Sequence, residues 1–241
     1  MDEPALTAGG IRRVGVVVPA HDEEALIGGC LAAVERSASL ARGARPGLEV
    51  LVVVVLDRCT DGTAAAAVGA GVCVVTSAGA GVGAARRTGH EVLARWQPLH
   101  PAARVWAAST DADTEVPSGW LLQQLEAADD GARLVLGTVR PRAVDLEVAV
   151  LKAWEARHPA AGPADDVVHV HGANLGVRLD AYLAAGGYPA VTEHEDRLLV
   201  EALRAQGVLP VAGTRAVTSG RRQGRVAGGF SGYLRALAAT L

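Results

Sequence analysis

The chain has 241 residues, half of them hydrophobic, so it is long enough to bury a substantial core and too apolar to be disordered. Its formal net charge of −3 argues against a general nucleic-acid binder, which needs a basic surface. Met1-Asp2-Glu3-Pro4 lacks an apolar signal core, and the most apolar run, Leu48 to Leu56, is about half a membrane span, so a cytoplasmic protein without a transmembrane segment is expected.

Aromatics make up only 3%, so the core must be built from Val, Leu and Ala. Lys152 is the only lysine, and the many arginines beside so much Ala and Gly read as compositional bias. Cys30, Cys59 and Cys73 have neither zinc-ligand nor redox spacing and are expected to be reduced.

Strand and helix signals alternate along the first two-thirds. Val14 to Val18 reads as a buried strand, Glu23 to Ser37 as a helix, and Leu48 to Leu56 as a second strand. Thr63 to Ala70 starts an Ala-rich helix, Val72 to Thr76 is a third strand, Val82 to Trp96 a third helix, and Arg104 to Ser109 a fourth strand. Beyond Pro117 come a helix (Trp120 to Asp130), a strand (Arg133 to Val139), a helical stretch (Val144 to Arg157) and a loop (His158 to Val167). A short strand near His169, helices from Leu179 and from Glu195 to Gln206, and a strand at Val208 to Val211 follow. The tail after Thr218 is rich in Arg and Gly and ends in an apolar, helix-compatible stretch. This pattern predicts an α/β fold, with a mainly parallel Rossmann-like sheet and helices on both faces. One domain is expected over 1–241, with halves at about 14–113 and 114–241.

Ligands of such sheets bind beyond the carboxyl ends of the strands. Acids gather there: Asp22-Glu23-Glu24 after the first strand, Asp57 and Asp61 after the second, Asp111-Ala112-Asp113 after the fourth. Each cluster alone could be helix capping, with Asp61 an N-cap candidate before Thr63. Together they repel one another, a cost that Mg²⁺ or Mn²⁺ would offset. In an extended segment the carboxylates of Asp111 and Asp113 point the same way. They could hold a cation that bridges diphosphate oxygens and stabilises charge on a departing nucleotide diphosphate.

Several segments resemble family 2 glycosyltransferases. The run Val16-Val17-Val18-Pro19-Ala20-His21-Asp22-Glu23-Glu24 is similar to their opening strand and loop, and Val53 to Thr63, with its Asp57 and Thr60-Asp61-Gly62-Thr63, to their second. Gly81 to Gly89 resembles their Gly- and Arg-bearing third segment, and Asp111-Ala112-Asp113 their Asp-x-Asp. Gly172-Ala173-Asn174, Gly186-Gly187-Tyr188 and Glu195-Asp196 follow in the family's order. The resemblance implies a GT-A fold and a nucleotide-diphospho-sugar donor. It implies nucleobase and ribose contacts from Pro19, Ala20, Glu23 and Asp57, and phosphate contact near Arg86. It further implies donor and metal contact at Asp111, a second metal ligand at Asp113, and acceptor-side positions at Gly172, Asn174 and Glu195. Asp196 would be the general base of an inverting displacement onto an acceptor hydroxyl that the sequence leaves unnamed.

Three departures stand out. Asp57 follows Leu56 where the family often has two Asp; Arg87 stands where Asn often follows the Arg; and no His lies beyond His194, leaving His171 and His194 as substitute ligands. The missing Gln-x-x-Arg-Trp argues against a polysaccharide synthase. Retaining transferases that build glycosylated phosphoglycerates share the early motifs and form an alternative, as does a degenerate nucleotide-sugar binder. Gly79 to Ala84 also fits a dinucleotide fingerprint, so an NAD(P)-dependent oxidoreductase is a rival. A nucleotidyltransferase is a weaker one, because Pro19 to Glu24 is not a Gly-rich basic loop. Arg221 and Arg222 are candidate phosphate contacts from the tail.

Overall fold

The computed structural model describes residues 10–79, 81–96, 101–158, 170–189, 191, 193–224 and 229–241. An eight-stranded sheet forms its centre. Strands β1 (Arg13–Ala20), β2 (Glu49–Leu56), β3 (Cys73–Thr76) and β4 (Val105–Ser109) run parallel in the order β3-β2-β1-β4. Helices α1 (Ile27–Ala44), α2 (Thr63–Gly69) and α3 (Val82–Arg95) connect them. Beyond β4 the sheet continues with β7 (Leu175–Arg178), β6 (Leu134–Pro141), β8 (Val211–Thr218) and β5 (Thr114–Glu115). Here β7 is antiparallel to both neighbours, and β8 is parallel to β6. Helices α4 (Trp120–Asp129), α5 (Val148–Arg157), α6 (Leu179–Ala184), α7 (Glu195–Ala205) and α8 (Phe230–Ala238) complete the described chain. The expected α/β class, with helices on both sheet faces, holds.

The Val-rich runs are continuous because both faces are covered. On β1, Val14, Val16 and Val18 enter the cluster under α1 and α4, and Val17 enters the cluster under α3, α6 and α7. β2 and β4 alternate in the same way, Val54 and Trp106 to one side, Val53 and Val105 to the other.

Small residues let α3 approach the sheet closely. A Cβ on Gly15 would fall inside the Leu93 side chain, and one on Gly89 would meet Val17 and Val55. The buried stripe Gly83, Arg86, Gly89, His90 and Leu93 keeps helical spacing, so the packing that seats Leu93 also turns Arg86 toward the strand ends.

Three expected boundaries change. Residues 22–26 form a turn rather than the first turn of a helix: Asp22 has a positive φ of 50°, and α1 begins at Ile27. Val208 to Val211 is not a strand, because Pro210 has no N–H for a ladder; the pairing starts at Val211. Val144 to Arg157 splits into a 3₁₀ turn at Ala143–Asp145 and the helix from Val148. The strand expected near His169, and all but the first residue of the loop before it, lie outside the described residues.

Gly15→Ala should cost about 1–3 kcal/mol through overpacking against Leu93. Urea unfolding would read this as a lowered midpoint with unchanged slope. An unchanged midpoint would mean that α3 is free to move away from β1.

Candidate functional site

The carboxyl ends of β1, β2 and β4 open into a cleft of about 850 Å³. Pro19, Ala20, Glu23 and Asp57 line one end of it. Asp57 is buried, and both its oxygens accept from Arg58, Nε at 3.1 Å and Nη2 at 3.4 Å. The middle carries Asp111 and Asp113, and the far side carries Gly172, Glu195 and Asp196.

The acids do not all turn inward. Asp22 Oδ1 accepts from the Thr60 N–H (2.6 Å), Glu24 Oε2 from the Gly62 N–H (2.7 Å), and Asp61 Oδ2 from the Glu24 N–H (3.0 Å). Asp61 Oδ1 also accepts from the Thr63 N–H at 3.0 Å, an Asx turn leading into α2 rather than the N-cap suggested by the sequence, since the N-cap is Gly62. These three carboxylates tie the loop after β1 to the loop after β2. The Thr60 bond, with smaller help from neighbours, holds the Asp22 carboxyl below its ordinary range. Asp22, Cys59 and Asp61 bring ligand-type atoms within 4.8 Å of one another, but both carboxylates already accept backbone N–H bonds.

Two guanidiniums answer the inward acids. Arg86 is 4% exposed at its side chain and binds Asp111 Oδ1 at 2.5 Å through Nη2 and Glu195 Oε1 through Nη1. Burial alone would lower its pKa; the carboxylates of Asp111 and Glu195 outweigh that and raise it, so Arg86 stays charged. Its Nε has no partner among the described residues. The guanidinium fills the space where a Cβ on Gly172 would sit. That observation gives Gly172 its role, and it commits Arg86 to neighbouring acids rather than leaving it open for phosphate. Burial pushes the Glu195 carboxyl up, and Arg86 opposes the shift.

The second guanidinium is Arg221. It binds Glu23 through both nitrogens (Nη1–Oε2 2.9 Å, Nη2–Oε1 2.6 Å) and Asp113 Oδ2 at 2.9 Å. Desolvation and the neighbouring Asp111 raise Asp113 to about 6, against the pull of Arg221.

Asp196 sits half-buried at the start of α7, lining the cleft. Its Oδ2 accepts from the Gly172 N–H at 2.7 Å and its Oδ1 from the Arg197 N–H at 2.8 Å. His194, just before it, has a positive φ of 63°, as does Arg58 (53°) across the cleft. Both belong to the sparsely populated left-handed region that concentrates at functional sites.

Two expected contacts are not brought to the cleft. Asn174 is buried, and its amide is used up: Oδ1 accepts from Trp120 Nε1 (2.8 Å), and Nδ2 donates to the Thr138 and Thr214 carbonyls (2.9 and 2.8 Å). It staples α4 to β6 and β8 instead of facing an acceptor. Arg222 is exposed and pairs with Glu147 at 3.0 Å, whereas Arg221 of the same tail lines the cleft.

The sequence reading missed an aromatic wall on the far side. Trp154 stacks on His158 (centroids 4.7 Å apart, 11° between planes), and Phe230 stacks on Tyr233 (6.4 Å, 26°); all four line the cleft. The available signal was scarcity: a chain with one Phe, three Tyr and four Trp places three of them here.

A model of the family described as "Glycosyl transferase family 2" matches residues 15–159, more than half of the chain. The chain belongs to glycosyl transferase family 2. No curated protein sequence matches it. Among solved structures it is similar to residues 1–349 of TarS from S. aureus, with 15% identity and a TM-score of 0.61, over 87% of this chain and 61% of that one. A further TarS structure matches at 15% identity and TM-score 0.60 over 86% of this chain, which spans 36% of that chain's length. Glucosyl-3-phosphoglycerate synthase from Mycobacterium tuberculosis, crystallised with Mn²⁺, UDP and phosphoglyceric acid, matches at 20% identity and TM-score 0.57 over 95% of this chain and 78% of that one. At these identities the likeness is one of fold, the GT-A arrangement of the family. Membership overturns the dinucleotide-binding rival. In the structure Gly83 lies in the first turn of α3 and serves a different end: a Cβ there would press on Glu195, so the glycine lets the start of α7 reach α3. No helix among the described residues is long and apolar enough to cross a membrane.

Behind Arg86, His90 is fully buried, bonded through Nδ1 to the Arg86 carbonyl (2.9 Å) and stacked on Tyr182 (4.4 Å). Burial lowers its pKa from 6.5 to about 4. The unfolded chain therefore takes up this proton first, and stability is lost as pH falls from about 6.5 toward 4. His90→Phe should flatten that decline by up to about 3 kcal/mol in paired pH series of denaturant melts. Parallel curves for the two proteins would remove His90 from the account.

Proposed function

We propose that this family 2 member transfers a sugar from a nucleotide-diphospho-sugar to an acceptor hydroxyl, with inversion. The observation that carries the reading is the meeting of Asp111 and Asp113 with Asp196 in one cleft, from strand and helix ends far apart in sequence. Pro19 and Ala20 at the end of β1, with Glu23 and Asp57 in the loops beyond, form the nucleotide end, and Asp196 with the aromatic wall forms the acceptor end.

The donor set suits Mn²⁺ or Mg²⁺: two carboxylates lining a roomy cleft, with coordination left for phosphate oxygens and water. Asp111 and Asp113 would hold the ion, which, when bound, would stabilise charge on the departing diphosphate. His171 and His194 both line the cleft and remain candidates for a third ligand. The chain's own groups do the rest. Asp196, oriented by the Gly172 and Arg197 N–H groups, takes the acceptor proton. Arg86 keeps Asp111 and Glu195 at fixed spacing, and Arg221 meets donor phosphate.

A second reading is favoured by the synthase likeness: retaining transfer onto a phosphoglycerate-type acceptor. The inventory at the acceptor end speaks against it. Arg197 there is exposed and bound to Glu201, and Glu193 and Asp196 would repel an anion.

The nucleotide is found by thermal shift, scanning UDP, GDP, dTDP, ADP and their sugars, NAD⁺ and NADP⁺, with and without Mn²⁺. A rise in Tm with one nucleotide diphosphate only when Mn²⁺ is present is expected. A rise with NAD⁺ alone would sink the proposal. Asp196→Asn should keep that donor-induced shift and lower nucleotide diphosphate release about 10²- to 10⁴-fold, the range of a lost general base. Wild-type turnover in this variant would take the base role from Asp196.

A further inference from the structure

We infer that Arg221 is an internal counter-ion that makes cation binding and nucleotide binding depend on each other. The inference rests on the proposed donor site, though one arm of its test does not.

Two of the guanidiniums lining the cleft differ in kind. Arg86 is 4% exposed and bedded against Gly172, so it has no room to exchange partners. Arg221 is 34% exposed and stands on an anchored arm. The Ser219 N–H donates to the Asp113 carbonyl (3.1 Å), and the Gly220 N–H to Asp145 Oδ2 (2.8 Å). A Cβ on Gly220 would meet Asp145 and Leu146, so the arm's root is closely packed. The root is held while the tip reaches Glu23 and Asp113.

Asp113 is poorly hydrated, and a carboxylate in such a place needs a cationic partner. Without ligand, Arg221 is that partner. A divalent ion entering at Asp113 competes for an oxygen that Arg221 already binds. If it wins alone, the guanidinium is left beside a like charge. A nucleotide diphosphate removes the conflict. Its oxygens offer the guanidinium, still held by Glu23, an anionic partner in place of Asp113, and the ion takes the vacated carboxylate. Cation and nucleotide should therefore bind cooperatively, and by linkage the coupling must be equal in both directions. Arg221 thus sets when the cation binds, a specificity role rather than a step in the transfer itself.

The test titrates Mn²⁺ into the whole chain and reads free Mn²⁺ by electron paramagnetic resonance. Arg221→Gln should bind Mn²⁺ alone about ten-fold more tightly than wild type, within the usual span of coupling between sites. Arg221→Lys keeps the charge and should stay near wild type. Arg204→Gln, which removes an exposed charge at the far end of α7, should also stay near wild type. In the second arm, the nucleotide diphosphate chosen by thermal shift should tighten Mn²⁺ about ten-fold in wild type and clearly less in Arg221→Gln. The proposal is overturned if Arg221→Gln binds Mn²⁺ alone no more tightly than Arg204→Gln, or not at all. It is also overturned if a bound nucleotide tightens Mn²⁺ equally in both. Failure of every nucleotide to bind would instead strike the donor-site reading, while the Mn²⁺-only arm still decides whether Arg221 competes for Asp113.

Discussion

Carboxylates gathered at the ends of parallel strands must be neutralised, and the rest of the site follows from how this chain does so. Arg86 is the fixed half of the answer. It joins Asp111, on the strand side, to Glu195, on the helix that carries Asp196. Ion pairs this deep gain little net stability, yet losing one partner leaves a buried charge uncompensated. The arrangement therefore behaves as a unit. Its chain of dependence is short: Gly15 and Gly89 admit α3, α3 delivers Arg86, and Gly172 makes room for its head. Each glycine is a place where a side chain elsewhere takes the volume that its own would have filled.

The acids outside the cleft have a different task. Asp22, Glu24 and Asp61 spend their oxygens on backbone N–H groups of two adjoining loops. Carboxylates of the same local sequence are thus divided between fastening the rim and facing the cleft. Neighbours such as Asp22 and Glu23 differ because the turn at Asp22 sends one side chain along the rim and the next inward.

This division explains what could be read beforehand. The apolar runs were legible because strands covered on both faces have no polar alternation to confuse them. Order and spacing of the acidic motifs were legible because strand ends in such sheets share one edge. The start of α1 was not, since three acids before an apolar stretch look the same whether they open a helix or clamp a loop. Nor was the fate of Asn174: an amide that faces a substrate and one that joins two strands and a helix leave the same letter. Arg221 and Arg222 were indistinguishable as neighbours, and only the Ser219–Gly220 anchor decides which one enters.

The aromatic wall has a consequence of another sort. Trp154 belongs to a small cluster with Val150, Leu234 and Leu237, made by α5 and α8 and separate from the two clusters that sandwich the sheet. Substitutions in separate clusters add up with little interference. The aromatic face of the cleft is therefore built on foundations of its own. Mutations can reshape it without disturbing the strand-end acids, so descendants of this chain could change what this face meets while inheriting the same acidic strand ends.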